Sequence, residues 1–295
     1  MPARNCVLEL QNQITVALDK PCLELKRLQG GSIAEVYAAR LNDSEWVVAK
    51  ASSQTSWQEG EGNLPLEGMM LRYLRECSPL PVPDVLYADP RLLIMSKIKG
   101  ESEFNHREQI HAAELIAQLH SITQSHYGFK QNTLIGSLNQ PNPLTEYWIP
   151  FFRDHRLLYM AKEAVKAGQL SLALYRRIDA LAGKLEKWLL EPTQPALLHG
   201  DLWTTNILAK DGKITGFLDP GIYYGHPEIE LAFTTLFNTF GRPFFERYQD
   251  FHPLQPGFFE ERRDLYNLYP LLVHVRLFGS GYVPPIEMTL RRFGV

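Results

Sequence analysis

His199-Gly200-Asp201-Leu202-Trp203-Thr204-Thr205-Asn206, followed after a short apolar stretch by Asp219-Pro220-Gly221, sets a carboxylate, an amide and a second carboxylate at fixed separations. The pattern suits phosphoryl transfer. That reaction needs an acceptor hydroxyl held in line with phosphorus and cations held where charge gathers on the phosphate oxygens. Asp201 is the candidate to accept or orient the hydroxyl proton, and Asn206 with Asp219 offers hard oxygen ligands for Mg²⁺. Between them, Ile207 to Ala209 and Ile214 to Leu218 read as strands joined by a turn at Asp211-Gly212, so that Asp219 returns beside Asn206. An isolated His-Gly-Asp would be ordinary at a strand end. The whole set in this context is specific, and His199 reads as a buried strut that hydrogen-bonds the loop.

Such a site needs a nucleotide held by earlier elements. Leu25 to Leu28, then Gln29-Gly30-Gly31-Ser32, then Ile33 to Ala39 read as strand, glycine turn, strand. Gly30, Gly31 and Ser32 are therefore candidates to bring backbone N–H groups against phosphates, with a plain hairpin turn as the alternative. The strand Trp46-Val47-Val48-Ala49-Lys50 ends in a lysine able to meet the α- and β-phosphates of ATP. A lysine there needs a partner. The helix opening at Leu64-Pro65-Leu66-Glu67 continues with Met70, Leu71 and Leu74, which places Glu67 on the apolar, inward face. An inward carboxylate must be paired, and Glu67 is preferred to Glu59 and Glu61 as the partner of Lys50. Pro79 to Pro83 reads as an exposed linker. Two strands, Val85 to Tyr87 and Leu92 to Met95, then lead to Ser96-Lys97-Ile98, where the backbone of Ser96 and Ile98 is expected to meet adenine.

From Glu101 the pattern becomes helical, with Ala112, Leu115, Ile116 and Leu119 as a core stripe. His106, His111, His120 and His126 share no ligand-bearing face, so capping or surface roles are expected. The aromatic series Phe233, Phe237, Phe240, Phe244, Tyr248 and Phe251 reads as core. The expected fold class is α+β and two-lobed: residues 1–97 an antiparallel-sheet lobe with one helix that binds ATP, and residues 98–295 a mainly helical lobe that carries catalysis and the acceptor.

Composition agrees. With 295 residues, 45% hydrophobic and 21% charged, the chain has the material for two cores and is neither disordered nor fibrous. A formal charge of -3 and a pI near 6.3 supply no basic field for nucleic acid. Three scattered cysteines, Cys6, Cys22 and Cys77, make neither a disulfide framework nor a zinc pattern. The first residues lack a basic-then-apolar leader, and no apolar run approaches the roughly 18 to 20 residues of a membrane span. A cytoplasmic monomer, with no membrane and no nucleic-acid partner, is expected.

The chain resembles the fructosamine kinase (ketosamine 3-kinase) family, among the aminoglycoside-phosphotransferase and choline-kinase relatives of protein kinases. The resemblance rests on His199-Gly200-Asp201-Leu202-Trp203 with Asn206, on Asp219-Pro220 with Tyr223-Tyr224-Gly225-His226 and Glu228, and on Asn132-Thr133-Leu134-Ile135-Gly136 leading through Gln140 and Asn142 to Trp148, Phe152 and Arg156. It implies a protein-kinase-like fold and ATP-dependent phosphorylation of a ketosamine, the sugar adduct of an amine or protein lysine, at its third sugar hydroxyl. The product falls apart and frees the amine, which amounts to deglycation; ribulosamine, erythrulosamine and fructosamine are the candidate sugars. Carried over by position, Asp201 is the base, Asn206 and Asp219 are the Mg²⁺ ligands, and Lys50 with Glu67 anchors the phosphates. Trp203, Tyr223, Tyr224 and His226 are candidate substrate contacts, and Trp148 is a further ring able to stack on a sugar. Ser32 stands where some relatives carry cysteine, and Gly221 where alanine is common. No Ala-Pro-Glu or hydroxyl-bearing activation segment follows Asp219, so a small acceptor or a sugar adduct on an exposed lysine fits better than a peptide hydroxyl. Other small acceptors (an aminoglycoside, choline or a sugar) and a non-catalytic nucleotide-binding regulator are the alternatives.

Overall fold

A computed structural model of the chain describes residues 2–28, 35–42, 44–52 and 63–295, with side chains from residue 7 onward. The expected phosphate turn at Gly30, Gly31 and Ser32 lies outside the described residues, as do Glu59 and Glu61. Helix α1 (Pro2–Leu18) precedes strands β1 (Glu24–Arg27), β2 (Glu35–Arg40) and β3 (Trp46–Ala51), then helix α2 (Leu64–Cys77) and strands β4 (Val85–Ala88) and β5 (Leu92–Ser96). These strands form one antiparallel sheet in the order β1-β2-β3-β5-β4. Alternation along a strand divides its faces. Val47, Ala49, Leu92 and Ile94 pack on Leu10 and Ile14 of α1, whereas Leu93 and Met95 pack with Met70, Leu71 and Leu74 of α2. The sheet is thus covered on both sides, and the single helix expected for this lobe is joined by a second, α1. Lys50 follows the α2-facing Val48 by two residues and so points at α2.

The rest is mainly helical. It runs through α3 (His106–His120), β6 (Thr133–Ile135), β7 (Leu138–Gln140), α4 (Trp148–Phe152), α5 (Leu158–Lys166), α6 (Leu172–Ala182), β8 (Ala196–Leu198), β9 (Ile207–Lys210), β10 (Lys213–Phe217), β11 (Tyr223–Gly225), α7 (Pro227–Leu236), α8 (Arg242–Gln249), α9 (Arg263–Phe278) and α10 (Val283–Arg292). The short strands pair antiparallel as β6 with β7, β8 with β11 and β9 with β10. One apolar core takes in α2, α3, the short strands and the C-terminal helices, so α2 is packed against both lobes.

Three expectations are corrected here. The Pro79 to Pro83 segment is no exposed linker: Leu80 and Val82 are buried, and the Pro81 carbonyl accepts the Phe217 N–H at 2.7 Å. His120 neither caps nor faces solvent, because it sits in the interior between Glu230 and Tyr248. Phe251, placed in the core stripe, is 45% exposed, its ring covered by the Arg247 guanidinium. Among the described residues no helix is long and apolar enough to cross a membrane.

Candidate active site

The loop after β8 and the loop after β10 are zipped together by backbone bonds. Leu218 N–H donates to Asn206 O at 2.8 Å and Gly221 N–H to His199 O at 2.8 Å. The β9–β10 hairpin therefore returns Asp219 to Asn206. The approach is close enough to dictate residue type: Gly200 has φ +87°, and a Cβ there would lie 2.0 Å from Gly221 O. At Gly221 an added Cβ would meet Leu134 O at 2.8 Å, so this chain's glycine fits where alanine would press on the β6 backbone. His199 is fully buried and accepts the Asp201 N–H through Nδ1 at 3.3 Å.

Five polar side chains from both lobes converge. Lys50 Nζ donates to Glu67 Oε1 at 2.6 Å and to Asp219 Oδ1 at 2.5 Å. The pair expected between β3 and α2 is formed, and Asp219 joins it. Asn63 starts α2 by accepting the Leu66 N–H through its side chain, which places Glu67 in the first turn. Burial alone would push the Lys50 ammonium down, but the carboxylates of Asp219 and Glu67 outweigh it and hold it above its ordinary value. Burial raises the Glu67 carboxyl, with Lys50 opposing. Asp201 is pushed up to about 7, first by burial and then by the negative charge of Asp219, while Asn206 pulls the other way.

Asn206 spends its amide N–H groups on Asp201, at 3.0 Å to the backbone oxygen and 2.7 Å to Oδ2. Its carbonyl oxygen is the atom left over. Asp219 already holds one cation, the Lys50 ammonium. Among the described residues no group of three or more His, Cys, Asp or Glu side chains could hold a metal unaided. One amide oxygen and one carboxylate, completed by phosphate oxygens and water, is a donor set that fits Mg²⁺.

Beside Asp201 opens a cavity of about 410 Å³, its mouth included. Gly200, Asp201 and Glu230 contribute polar edges, and the walls include Tyr223, Phe233, Tyr269 and His274. Of the expected substrate contacts, Tyr223 lines this cavity. Tyr224 does not, because successive residues of β11 face opposite ways; its hydroxyl meets that of Tyr73 at 2.9 Å. His226 is turned away too, its Nδ1 accepting the Glu228 N–H to cap α7 and its ring set between Trp148 and Tyr266. Trp203 is half-buried beside the cavity residue His274, whereas Trp148 is wholly interior and bonds Tyr266 through its indole N–H. At the lobe junction Ser96 has both its N–H and its hydroxyl engaged with Asp84, and the Ile98 side chain packs on Gly216.

Sequence reasoning missed Glu230. Its carboxylate accepts the Gly200 N–H at 2.6 Å and the His199 N–H at 3.3 Å, and meets His120 Nε2 at 3.0 Å. Burial would raise this carboxyl, but His120, His199 and the Gly200 N–H together hold it below its ordinary value. Glu230, Phe233 and Phe237 stand three and seven apart, the same inward-carboxylate signal that exposed Glu67. Beside it, Arg262 makes a bidentate buried pair with Glu228, both bonds at 2.7 Å. Tyr269, Pro270 and His274 were missed for another reason: α9 is buried nearly all round, so no face stands out.

A family model described as fructosamine kinase matches residues 8–293. The chain belongs to the fructosamine kinase family. It is 30% identical over 284 residues to a probable ketoamine kinase of Vibrio parahaemolyticus, with 94% of this chain and 95% of the other covered. It is 40% identical over 173 residues to a chloroplastic protein-ribulosamine 3-kinase of Oryza sativa, covering 57% of this chain and 49% of that one. The crystal structure of a Thermobifida fusca protein assigned as a fructosamine-3-kinase superposes with TM-score 0.83 at 26% identity, over 95% of this chain and 96% of that one. The two-lobed, kinase-like fold is that of the family.

Proposed function

We propose that this chain transfers the γ-phosphoryl group of ATP to a sugar hydroxyl of a ketosamine, the adduct of a small sugar with an amine or a protein lysine, and so acts in deglycation. The convergence of Lys50, Glu67 and Asp219 upon Asp201 and Asn206 carries this reading. Lys50, fixed by Glu67, anchors the α- and β-phosphates; Gly30, Gly31 and Ser32 are assigned to the phosphates by their place before β2. The segment from Ser96 to Ile98 serves as the hinge at the nucleotide base, which divides an ATP lobe of residues 1–97 from a catalytic lobe of 98–295. Asn206 and Asp219 would hold Mg²⁺, which when bound neutralises charge on the phosphates. Asp201 receives the acceptor hydroxyl proton as the oxygen–phosphorus bond forms and the bond to the ADP leaving group breaks. A carboxyl pushed up to about 7 by burial is matched to that task.

The acceptor assignment is supported by the family and by the named relative acting on ribulosamine, and the half-buried Trp203 offers a ring for a sugar beside the cavity that Tyr223 lines. The free thiols of Cys22 and Cys77 support a reducing, cytoplasmic setting. The decisive experiment measures ATP consumption against ribulosamine, erythrulosamine and fructosamine adducts beside aminoglycosides and choline, and locates the product phosphate by NMR. Phosphate on the third sugar hydroxyl of a ketosamine is the expected result; selective turnover of a non-ketosamine would overturn it.

A further inference from the structure

The stretch from Asn132 to Arg156 is one of the three runs on which the family resemblance rests, yet none of its side chains is among the five polar ones that converge in the cleft. Ile135 lines the cavity, while Thr133, Gln140, Asn142 and Arg156 are buried and are not among its lining residues. Arg156 is fully buried, and its donors go to neutral acceptors: Pro141 O at 2.7 Å, His155 O at 2.9 Å and Asn142 Oδ1 at 2.6 Å, with Nε left without a partner. A buried guanidinium met by dipoles instead of a carboxylate is costly to keep. What it gains is a ring, since its Cζ lies 3.9 Å from the ring centroid of Tyr223.

From Asn142 the bonds run on without a break. Asn142 and Gln140 both donate to Thr133 Oγ1, at 2.7 and 2.9 Å, and Thr133 donates to Ile222 O at 3.0 Å. Gln140 also donates to Gly221 O at 2.9 Å and accepts the Tyr269 hydroxyl at 2.8 Å. The chain therefore ends on two rings that reach the cavity from different elements, Tyr223 from β11 and Tyr269 from α9, and it grips the backbone between Asp219 and Tyr223 on the way. We infer that Arg156 and Gln140 are positioning residues that set the acceptor's place relative to Asp201 by fixing these two rings. The inference rests on the acceptor reading given above.

A network that served folding alone would weaken every property together, whereas a positioning network acts on the acceptor side only. Tyr269→Phe is the mildest probe, since it keeps the ring and removes one hydroxyl. Misplacing an acceptor by about 1 Å costs on the order of 100-fold in rate. The variant should therefore lose roughly 10- to 100-fold in kcat/KM for the ketosamine, with affinity for magnesium-ATP, titrated without acceptor, unchanged, and with only a modest fall in the unfolding midpoint from the Gln140 oxygen left without its donor. Arg156→Lys keeps the charge but not the flat fork that stacks on Tyr223, and the same one-sided loss is expected; if that variant does not fold, Tyr269→Phe decides. Wild-type ketosamine kinetics in Tyr269→Phe, or a loss shared equally with nucleotide affinity, would overturn the inference. Wild-type protein runs in every assay, so absence of any ketosamine turnover in it would strike the acceptor reading itself and is distinguishable from a failure of the network.

Discussion

Two carboxylate clusters lie on either side of the catalytic loop and are held in opposite ways. In the cleft, Glu67 and Asp219 share one ammonium, and the Asp219 side chain is 45% exposed. Below the loop, the Glu230 side chain is 1% exposed, and both of its oxygens are taken by His120 and by the N–H groups of His199 and Gly200. A site that must exchange its partners for phosphate and metal keeps few bonds and an open face. A frame that must not move leaves neither carboxylate oxygen without a partner.

The comparison breaks most sharply at Asp201. Replacing it by Ala should lower turnover on the order of 10² to 10⁴-fold in a coupled ADP-release assay. Stability should hold or rise, because the substitution removes a carboxyl that burial and Asp219 already disfavour. A variant as fast as wild type would end the assignment of Asp201. Glu230→Ala should do the reverse. It strands His120 and two backbone donors in the interior, at a cost of about 3 to 5 kcal/mol in urea unfolding. A loss of activity without a loss of stability there would place Glu230 in the chemistry instead of in the frame.

The same contrast explains what could be read beforehand. Lys50, Glu67, Asp201, Asn206 and Asp219 were legible because phosphoryl transfer fixes their types and spacings, and because the hairpin between Asn206 and Asp219 is written in local turn chemistry. The sheet and α2 were legible from alternation and periodicity. Tyr223 and Tyr224 could not be told apart, since the face each takes is decided by pairing with β8, a contact far away in sequence. α9 was opaque for want of contrast, and Pro270 within it argues locally against a helix. The outer helix α1 went unread because, among its described side chains, the buried stripe amounts to Leu10 and Ile14.

Acid should also weaken the frame. Burial first, then the charges of Arg262 and His120, push the His226 imidazole from its ordinary 6.5 down to about 3. The folded protein keeps this ring neutral as the cap of α7, while the unfolded chain takes up a proton near 6.5. Stability from this group is thus complete above pH 6.5 and is lost as pH falls toward 3, by about 2 kcal/mol between pH 6.5 and 5. His199 and His274, also depressed by burial, add to the slope. Thermal midpoints measured across that range should fall, and His226→Asn, which keeps a capping oxygen but does not titrate, should flatten the curve. An unchanged slope in that variant would assign the acid sensitivity elsewhere.

The smallest expected effect tests whether the cleft is as loosely held as its bonding suggests. The Asn63 side chain bonds to none of the five polar side chains there, yet it caps the helix whose first turn carries Glu67, whose N–H donates to the Asn63 carbonyl at 3.1 Å. Asn63→Ala should cost about 1 kcal/mol of stability through the lost cap. Because α2 is also packed against the C-terminal core, the helix itself should persist, and the loss should be felt in its first turn, where Glu67 orients Lys50. The expected readout is a few-fold weaker affinity for magnesium-ATP with the KM for the acceptor unchanged. Equal affinity in the variant and the wild type would mean that Lys50 is oriented by Asp219 alone, and that the interior packing of α2 makes its cap irrelevant to the nucleotide.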